Sequence, residues 1–444
     1  MTRFPPGPKS KYPGSGFVQF RKDPMGFLER LAREFGDVVH WRIAGQHTFL
    51  INRPDLIRDV LVTDARKFCK EMKASRTLLG EGLTVSDGEL HRRQRRAVEP
   101  TFRHERIPVF AEVMVRYAER ARTRWRDDAT LDLKEEMEGI SLAVIGETMF
   151  GANLEPHAAT IQSAMDGAIG SPPNMLLPLA RAVEKLPLPA AHRAKAGRAK
   201  IHGIVEQLIR DRRSAGDRGE DLLSILLLAQ NEGSNGARMT DEQIHDEMMN
   251  LLIAGYETVS NALAWTWYLL SEHPEVEAQL HEEIDRVLAN RLPTFADIAA
   301  LQCTENVIRE SLRLYPPLWM VWRRAIEDYP LDGYVAPAGS IIIMSQHVMH
   351  RDERYFAEPL RFNPERWTEE FSERLPKFAY FPFGGGPRQC VGDRFGSMEA
   401  VLILATVAQK WSLRLVPGRA VVPNPLLTLR PKYGLQMIAH RRNR

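Results

Sequence analysis

Apolar residues recur at helical spacing through most of the chain and alternate in only a few short stretches. Pro24 to Phe35 reads as a short helix, and Asp37 to Ile43 with His47 to Ile51 read as two strands of a hairpin around Ala44-Gly45. From Pro54 to about Gln230 the pattern predicts amphipathic helices joined by loops, with Ser171-Pro172-Pro173 and Leu186-Pro187-Leu188-Pro189 as loop segments. Asp241 to His273 contains no proline and keeps a long apolar face, which predicts one long helix ended by Pro274. Its window Met248 to Leu270 is the most apolar in the chain, yet it contains Asn250, Glu257 and Asn261, so it reads as a buried core helix rather than a membrane span.

Glu275 to Leu288 and Thr304 to Leu314 predict two further amphipathic helices, the second stopped by Pro316-Pro317. Short strands are expected around Arg324 to Glu327 and Ser340 to Met344, irregular coil over roughly His350 to Pro382, a helix over Asp393 to Lys410, and a closing β-hairpin. The sum is a mainly α fold with small peripheral β-sheets, one of them N-terminal around 37–52. No linker, low-complexity tract or internal repeat divides the chain, so a single domain over 1–444 is expected.

Composition narrows this in three ways. The 444 residues are 44% hydrophobic and 26% charged, enough to bury a large core. Sixty basic and 57 acidic side chains leave a net charge of +3, too balanced to point to nucleic acid. Three cysteines, Cys69, Cys303 and Cys390, give no disulfide framework and suit a reducing compartment. The start, Met1 to Pro8, has no apolar run, so neither a signal peptide nor a membrane anchor is expected there and the location expected is cytoplasmic.

The chemistry concentrates in Phe383-Gly384-Gly385-Gly386-Pro387-Arg388-Gln389-Cys390-Val391-Gly392. A cysteine near a helix start and close to a cation is biased towards thiolate, a metal ligand or nucleophile. Consecutive glycines let the backbone pass close to something flat and bulky. No Lys-Ser/Thr follows, which excludes a phosphate-binding P-loop. No paired cysteines occur, which argues against structural zinc and iron–sulfur centres. The cysteine lies far from the chain start, unlike a papain-type nucleophile.

This segment resembles the haem-ligand loop of the cytochrome P-450 family, Phe-x-x-Gly-x-Arg-x-Cys-x-Gly, at Phe383, Gly386, Arg388, Cys390 and Gly392. Other segments agree in order and spacing. Glu310-Ser311-Leu312-Arg313 alone would be an ordinary helix ion pair, worth about 0.2–0.5 kcal/mol. Followed by Tyr315-Pro316-Pro317, His350-Arg351-Asp352 and Phe362 to Trp367, it resembles the family's K-helix motif, which implies a structural triad of Glu310, Arg313 and Arg366. Ala254-Gly255-Tyr256-Glu257-Thr258 resembles the oxygen-activation motif, with Val259 where a second Thr or Ser is usual. Taken alone, Thr258 would bond back to a carbonyl one turn earlier, and Gly255 would cost about 1 kcal/mol against Ala.

The resemblance implies haem b (iron protoporphyrin IX) with Cys390 as axial thiolate and metal ligand, and Phe383, Gly392 and Ala254 beside the macrocycle. It implies that Thr258 hydrogen-bonds the reacting dioxygen in a locally opened helix groove, and that Glu257 relays protons. For the propionates it implies Arg388, His91, Arg95 and Arg323, with Arg324 as the alternative to Arg323. Arg92, Arg93 and Arg96 form either a solvated face or a dock for an acidic electron donor. A substrate pocket is implied around Leu78, Leu79, Ile253, Ala254, Trp319, Met320, Val321 and Leu427, all apolar or aromatic.

The function implied is a monooxygenase that inserts oxygen from O2 into a lipophilic small molecule. A terpenoid is favoured, and a fatty acid or steroid suits the same pocket. Electrons would come from NAD(P)H through a ferredoxin and its reductase to a monomeric enzyme with no nucleic-acid partner and no membrane anchor. The rivals are a haem-thiolate peroxygenase or isomerase that needs no electron donor, against which Glu257-Thr258 argues, and a non-catalytic haem-based sensor, which no appended signalling module supports.

Overall fold

The computed structural model describes residues 4–9, 15–43, 45–70, 76–102, 107–169, 189–216, 219, 221–232 and 239–442. The segment Ser171-Pro172-Pro173 and residues 186–188, expected as loops, lie outside these. Pro189 opens a helix, where its missing N–H costs nothing.

The helices that frame the site are α1 (Pro24–Phe35), α2 (Gly88–Val98), α3 (Ile107–Arg122), α4 (Leu133–Phe150), α5 (Pro189–Ala215), α6 (Asp241–Glu272), α7 (Pro274–Leu288), α8 (Gln302–Leu314) and α9 (Asp393–Ala408). The long helix α6 begins with a capping box. Thr240 accepts from the Gln243 N–H at 3.2 Å, and the Gln243 side chain accepts from the Thr240 N–H at 2.9 Å. It ends before Pro274, which becomes the first residue of α7. It packs against α4, α8 and α9, so apolar side chains are buried on every face. The same holds for α4 and α9, whose low amphipathicity reads as full burial.

The hairpin is β1 (Val38–Ile43) with β2 (Gln46–Ile51), in the register Trp41 to Thr48. It forms the edge of a five-stranded sheet in the order β1-β2-β8-β5-β3, with β3 at Phe68–Cys69, β5 at Val321–Ala325 and β8 at Ile341–Met344. The β2–β8 pair is parallel, Phe49 opposite Ile342. The strand expected at Arg324 to Glu327 thus starts earlier, at Val321, because it pairs with Ile341–Met344 through Val321 to Arg324.

The helical reading of 54–230 misses β3 and a strand, β4 (Ala129–Asp132). The chain does not close in a simple hairpin. The last strand, β12 (Gln436–Arg441), lies between β4 and β9 (Trp411–Leu415). A two-stranded ladder, β10 (Pro423–Pro425) with β11 (Leu429–Pro431), sits between β9 and β12 in sequence. Strand β4 is short, and its partners lie some three hundred residues away, so no local pattern announces it. No described helix is long and apolar enough to cross a membrane.

Candidate active site

The loop that carries Cys390 is a tight turn entering α9. The Cys390 N–H donates to the Phe383 carbonyl at 3.0 Å and Gln389 N–H to the Gly386 carbonyl at 3.0 Å. Gly386 has φ +66°, and a Cβ there would strike the Leu61 carbonyl; a Cβ on Gly385 would strike the Phe378 ring. Protein neighbours therefore require these two glycines, a different reason from the one their spacing beside the cysteine suggests.

Cys390 opens onto a cavity with about 970 Å³ of empty space. One wall is α6, through Ala254, Gly255, Thr258 and Val259; the other is the loop and α9, through Phe383, Val391, Gly392, Phe395 and Ala400. Neither Cys69 nor Cys303 lines it. Cys390 is exposed at this cavity's lining, with dense protein around it. Burial pushes its thiol up to about 11, against the pull of the Gly392 N–H, Arg95 and Lys70. In the chain alone desolvation outweighs the pull of these groups, and Arg388 is engaged with Asp87.

Behind the loop lies a saturated carboxylate. Oε1 of Glu310 accepts from Arg313 Nη2 (2.9 Å), Arg366 Nε (2.9 Å) and the Asn363 N–H (3.0 Å). Oε2 accepts from Arg313 Nε (2.9 Å) and Trp367 Nε1 (3.0 Å). Arg313 spends its remaining donors on the carbonyls of His350, Pro359 and Arg361. Glu310 and Arg313 have no exposed surface, so the motif is no surface pair. His350 Nε2 accepts from the Phe381 N–H at 3.0 Å, two residues before Phe383, which ties this network to the cysteine loop.

Beside Cys390, Lys70, His91, Arg95, Arg323 and Arg388 crowd together. Burial, with Arg323 and Arg388 beside it, lowers the Lys70 ammonium to about 7. Burial, with Arg388, Arg95, Lys70 and Arg323 around it, holds the His91 imidazole down at about 3. Asp87 stands among them: it accepts from Arg388 and from the Lys70 N–H at 3.1 Å. A second Arg388 nitrogen, Nη1, is buried without a hydrogen-bond partner. Arg95 Nη1 donates to the Gln389 carbonyl at 2.7 Å, so this side chain braces the loop. Arg324 points elsewhere, to Gln46 and the Gly339 carbonyl, whereas Arg323 joins the cluster. Lys70 and Asp87 were not foreseen; neither sits in a motif.

On the long helix the two motif residues diverge. Thr258 lines the cavity and donates to the Ala254 carbonyl at 2.7 Å. The helix is continuous there, without the opened groove expected, and Gly255 is explained by Ile145 of α4, which a Cβ would strike. Glu257 is 3% exposed and does not line the cavity. It accepts from Thr428 Oγ1 at 2.7 Å, and burial raises its carboxyl above the ordinary range.

Among the residues expected to line a substrate pocket, only Ala254 borders this cavity. Trp319 and Met320 are packed in the core beside β8, with Trp319 Nε1 bonded to the Leu426 carbonyl at 3.0 Å. Leu79 and Ile253 are buried, and Leu78 and Leu427 pack against the main core. Val321 packs against a second core cluster. Pro317, Leu318, Ile308 and Leu312 line the cavity instead. On α2, Arg92, Arg93 and Arg96 are exposed, and Arg92 and Arg96 both pair with Glu89.

Iron protoporphyrin IX presents a broad apolar ring, an axial site for a thiolate and two carboxylates. Apolar helix walls, Cys390 and a cluster of mutually repelling cations match these three features.

Residues 5–438 match the family described as Cytochrome P450. The chain is 38% identical to "Cyclooctatin synthase" of Streptomyces melanosporofaciens, over 94% of this chain and 91% of that protein. It is 37% identical to "Cyclooctat-9-en-7-ol 5-monooxygenase" of the same organism, over 89% and 86%. It is 33% identical to "Pentalenene oxygenase" of Streptomyces avermitilis, over 93% and 91%. The crystal structure of the cytochrome P450DA heme domain superposes with a TM-score of 0.88 at 26% identity, covering 100% of this chain and 99% of that one. The chain belongs to the cytochrome P450 family and is a haem-dependent monooxygenase whose iron takes a cysteine thiolate as axial ligand.

Proposed function

We propose that this enzyme hydroxylates a cyclic terpenoid as a single haem domain, with Cys390 as the iron ligand and electrons delivered from NAD(P)H by a ferredoxin and its reductase. The observation that carries the substrate class is that relatives covering about nine-tenths of the chain are named for cyclooctatin, cyclooctat-9-en-7-ol and pentalenene. The apolar cavity suits such a substrate. When bound, the haem supplies the activation of dioxygen and the transfer of one oxygen atom to carbon.

The chain's own groups do the rest. Phe383, Val391 and Phe395 keep water from the sulfur side. Arg388, Arg323, Lys70 and His91 would hold the propionate carboxylates, and Arg95 fixes the Gln389 carbonyl next to Cys390. On the opposite wall, the Thr258 hydroxyl gives its proton to the Ala254 carbonyl and offers its oxygen as an acceptor at the cavity wall. Glu257, one residue earlier, holds a proton behind it.

Binding and turnover test this reading. Cyclooctat-9-en-7-ol and pentalenene are expected to shift the ferric spectrum and to give monohydroxylated products with ferredoxin, reductase and NAD(P)H. Turnover of a fatty acid or steroid with no response to either terpene overturns the substrate class, and equal turnover with peroxide alone overturns the electron route. Cys390→Ser is expected to abolish the reduced carbon-monoxide spectrum of thiolate ligation. Thr258→Ala is expected to keep haem and divert most of the electrons away from product.

A further inference from the structure

The turn Leu426 to Leu429 is fastened to the core through three backbone groups and one side chain. Trp319 Nε1 donates to the Leu426 carbonyl at 3.0 Å. The Leu429 N–H donates to the carbonyl of Pro317, a cavity-lining residue, at 2.8 Å. Trp265 Nε1 of α6 donates to the Leu429 carbonyl at 2.9 Å. Thr428 sits at the centre, 3% exposed. Its hydroxyl accepts from Asn261 Nδ2 at 3.2 Å and donates to Glu257 Oε1 at 2.7 Å.

A hydroxyl has one proton to give. With that proton directed to Glu257 Oε1 and the Asn261 amide occupying the oxygen, Oε1 is fixed as an acceptor. A proton carried by Glu257 then resides on Oε2, which is buried with no hydrogen-bond partner. An acidic hydrogen with no acceptor is free to be handed on, whereas one bonded to Thr428 would first have to be released. The charged groups that face Glu257 are Arg430 and the Lys134–Glu138 pair of α4, two cations and one anion, so they pull its carboxyl down while burial pushes it up.

We propose that Thr428 is a positioning residue for proton delivery: with Asn261 it fixes which oxygen of Glu257 carries the proton, and it ties that carboxyl to the turn Leu426–Leu429. A ligand or substitution that displaces this turn also displaces the proton donor. The proposal rests on the reading of Glu257 as a proton relay.

The haem-loaded enzyme tests it by two independent readouts. The infrared carbonyl band of protonated Glu257 is the one lost in Glu257→Gln. In Thr428→Val this band is expected to move to higher frequency, because the carbonyl oxygen loses its donor, and Thr428→Ser is expected to restore it. With cyclooctat-9-en-7-ol as the probe, the product formed per NAD(P)H is expected to fall several-fold in Thr428→Val and Glu257→Gln with little change in KM, and to recover in Thr428→Ser. Thr428→Ala carries the same expectation should the valine variant fail to load haem. An unmoved band and wild-type coupling in Thr428→Val overturn the proposal. A moved band with full coupling in Glu257→Gln instead leaves Thr428 as Glu257's anchor and removes Glu257 from the relay.

Discussion

Glu310 and Glu257 are two buried glutamates on helices that line one cavity, and the protein treats them in opposite ways. Both oxygens of Glu310 are saturated, by two arginines, an indole and a backbone N–H. Glu257 has a single hydroxyl donor and one buried oxygen with no partner. A carboxylate out of water stays charged only where donors replace its hydration. Glu310 is therefore a fixed charge that holds the coil behind the cysteine loop. Glu257 favours keeping its proton, which a relay requires. The same residue type is a structural charge in one place and, in the proposed function, a proton relay in the other, and the count of donors separates the two.

The largest expected effect breaks the saturated site. Glu310→Gln leaves Arg313 and Arg366 without their counter-charge in a place with no water, a loss of about 3–5 kcal/mol. Urea unfolding and the haem content of the purified protein measure it, and a variant as stable as wild type would refute the contrast. The cation cluster gives the next effect, because there charge is in excess. Arg323→Leu is expected to weaken haem retention roughly ten- to hundredfold, on the order of 1.5–3 kcal/mol for a bond to a charged group, while leaving the haem-free protein at least as stable by removing a repelling neighbour of Lys70 and His91. Arg324→Leu is expected to leave haem transfer to apomyoglobin unchanged, since Arg324 faces Gln46 and Gly339.

This contrast also explains what the sequence made legible. Glu310 and Arg313 share one helix face, and Phe383, Gly386, Arg388 and Gly392 lie within ten residues of Cys390, so short spacing carries the information. Helices such as α6 were visible for the same reason, through local periodicity and Pro274. What stayed hidden depends on pairing across the chain. Asp87 meets Arg388 across 301 positions, and Thr428 meets Glu257 across 171. Strand β4 has four residues and finds its partner near the C-terminus. Burial around Cys390, which raises its thiol in the chain alone, is hidden in the same way, whereas the nearby Arg388 is visible in sequence.

The two smaller predictions concern carboxyls kept neutral. Glu257→Gln replaces a protonated acid by a neutral isostere, so its cost in stability is expected to stay below about 1 kcal/mol, far less than Glu310→Gln. Unfolding both variants in parallel sharpens the comparison. Glu399 on α9 extends it to pH. Burial raises its carboxyl from 4.5 to about 8, with Ser141 pulling the other way too weakly to matter. In that window the folded chain holds a proton that the unfolded chain has released. Its contribution to stability is therefore complete below about 4.5, is lost as pH rises through about 8, and is level beyond. Glu247, also raised to about 8 by burial, adds a slope of the same sign. Glu399→Gln removes one of these two protons, so unfolding midpoints measured across the window are expected to fall less steeply in the variant than in wild type. Identical slopes would mean that Glu399 ionises in the folded protein as it does in water, and that burial alone does not decide the state of a glutamate in this core.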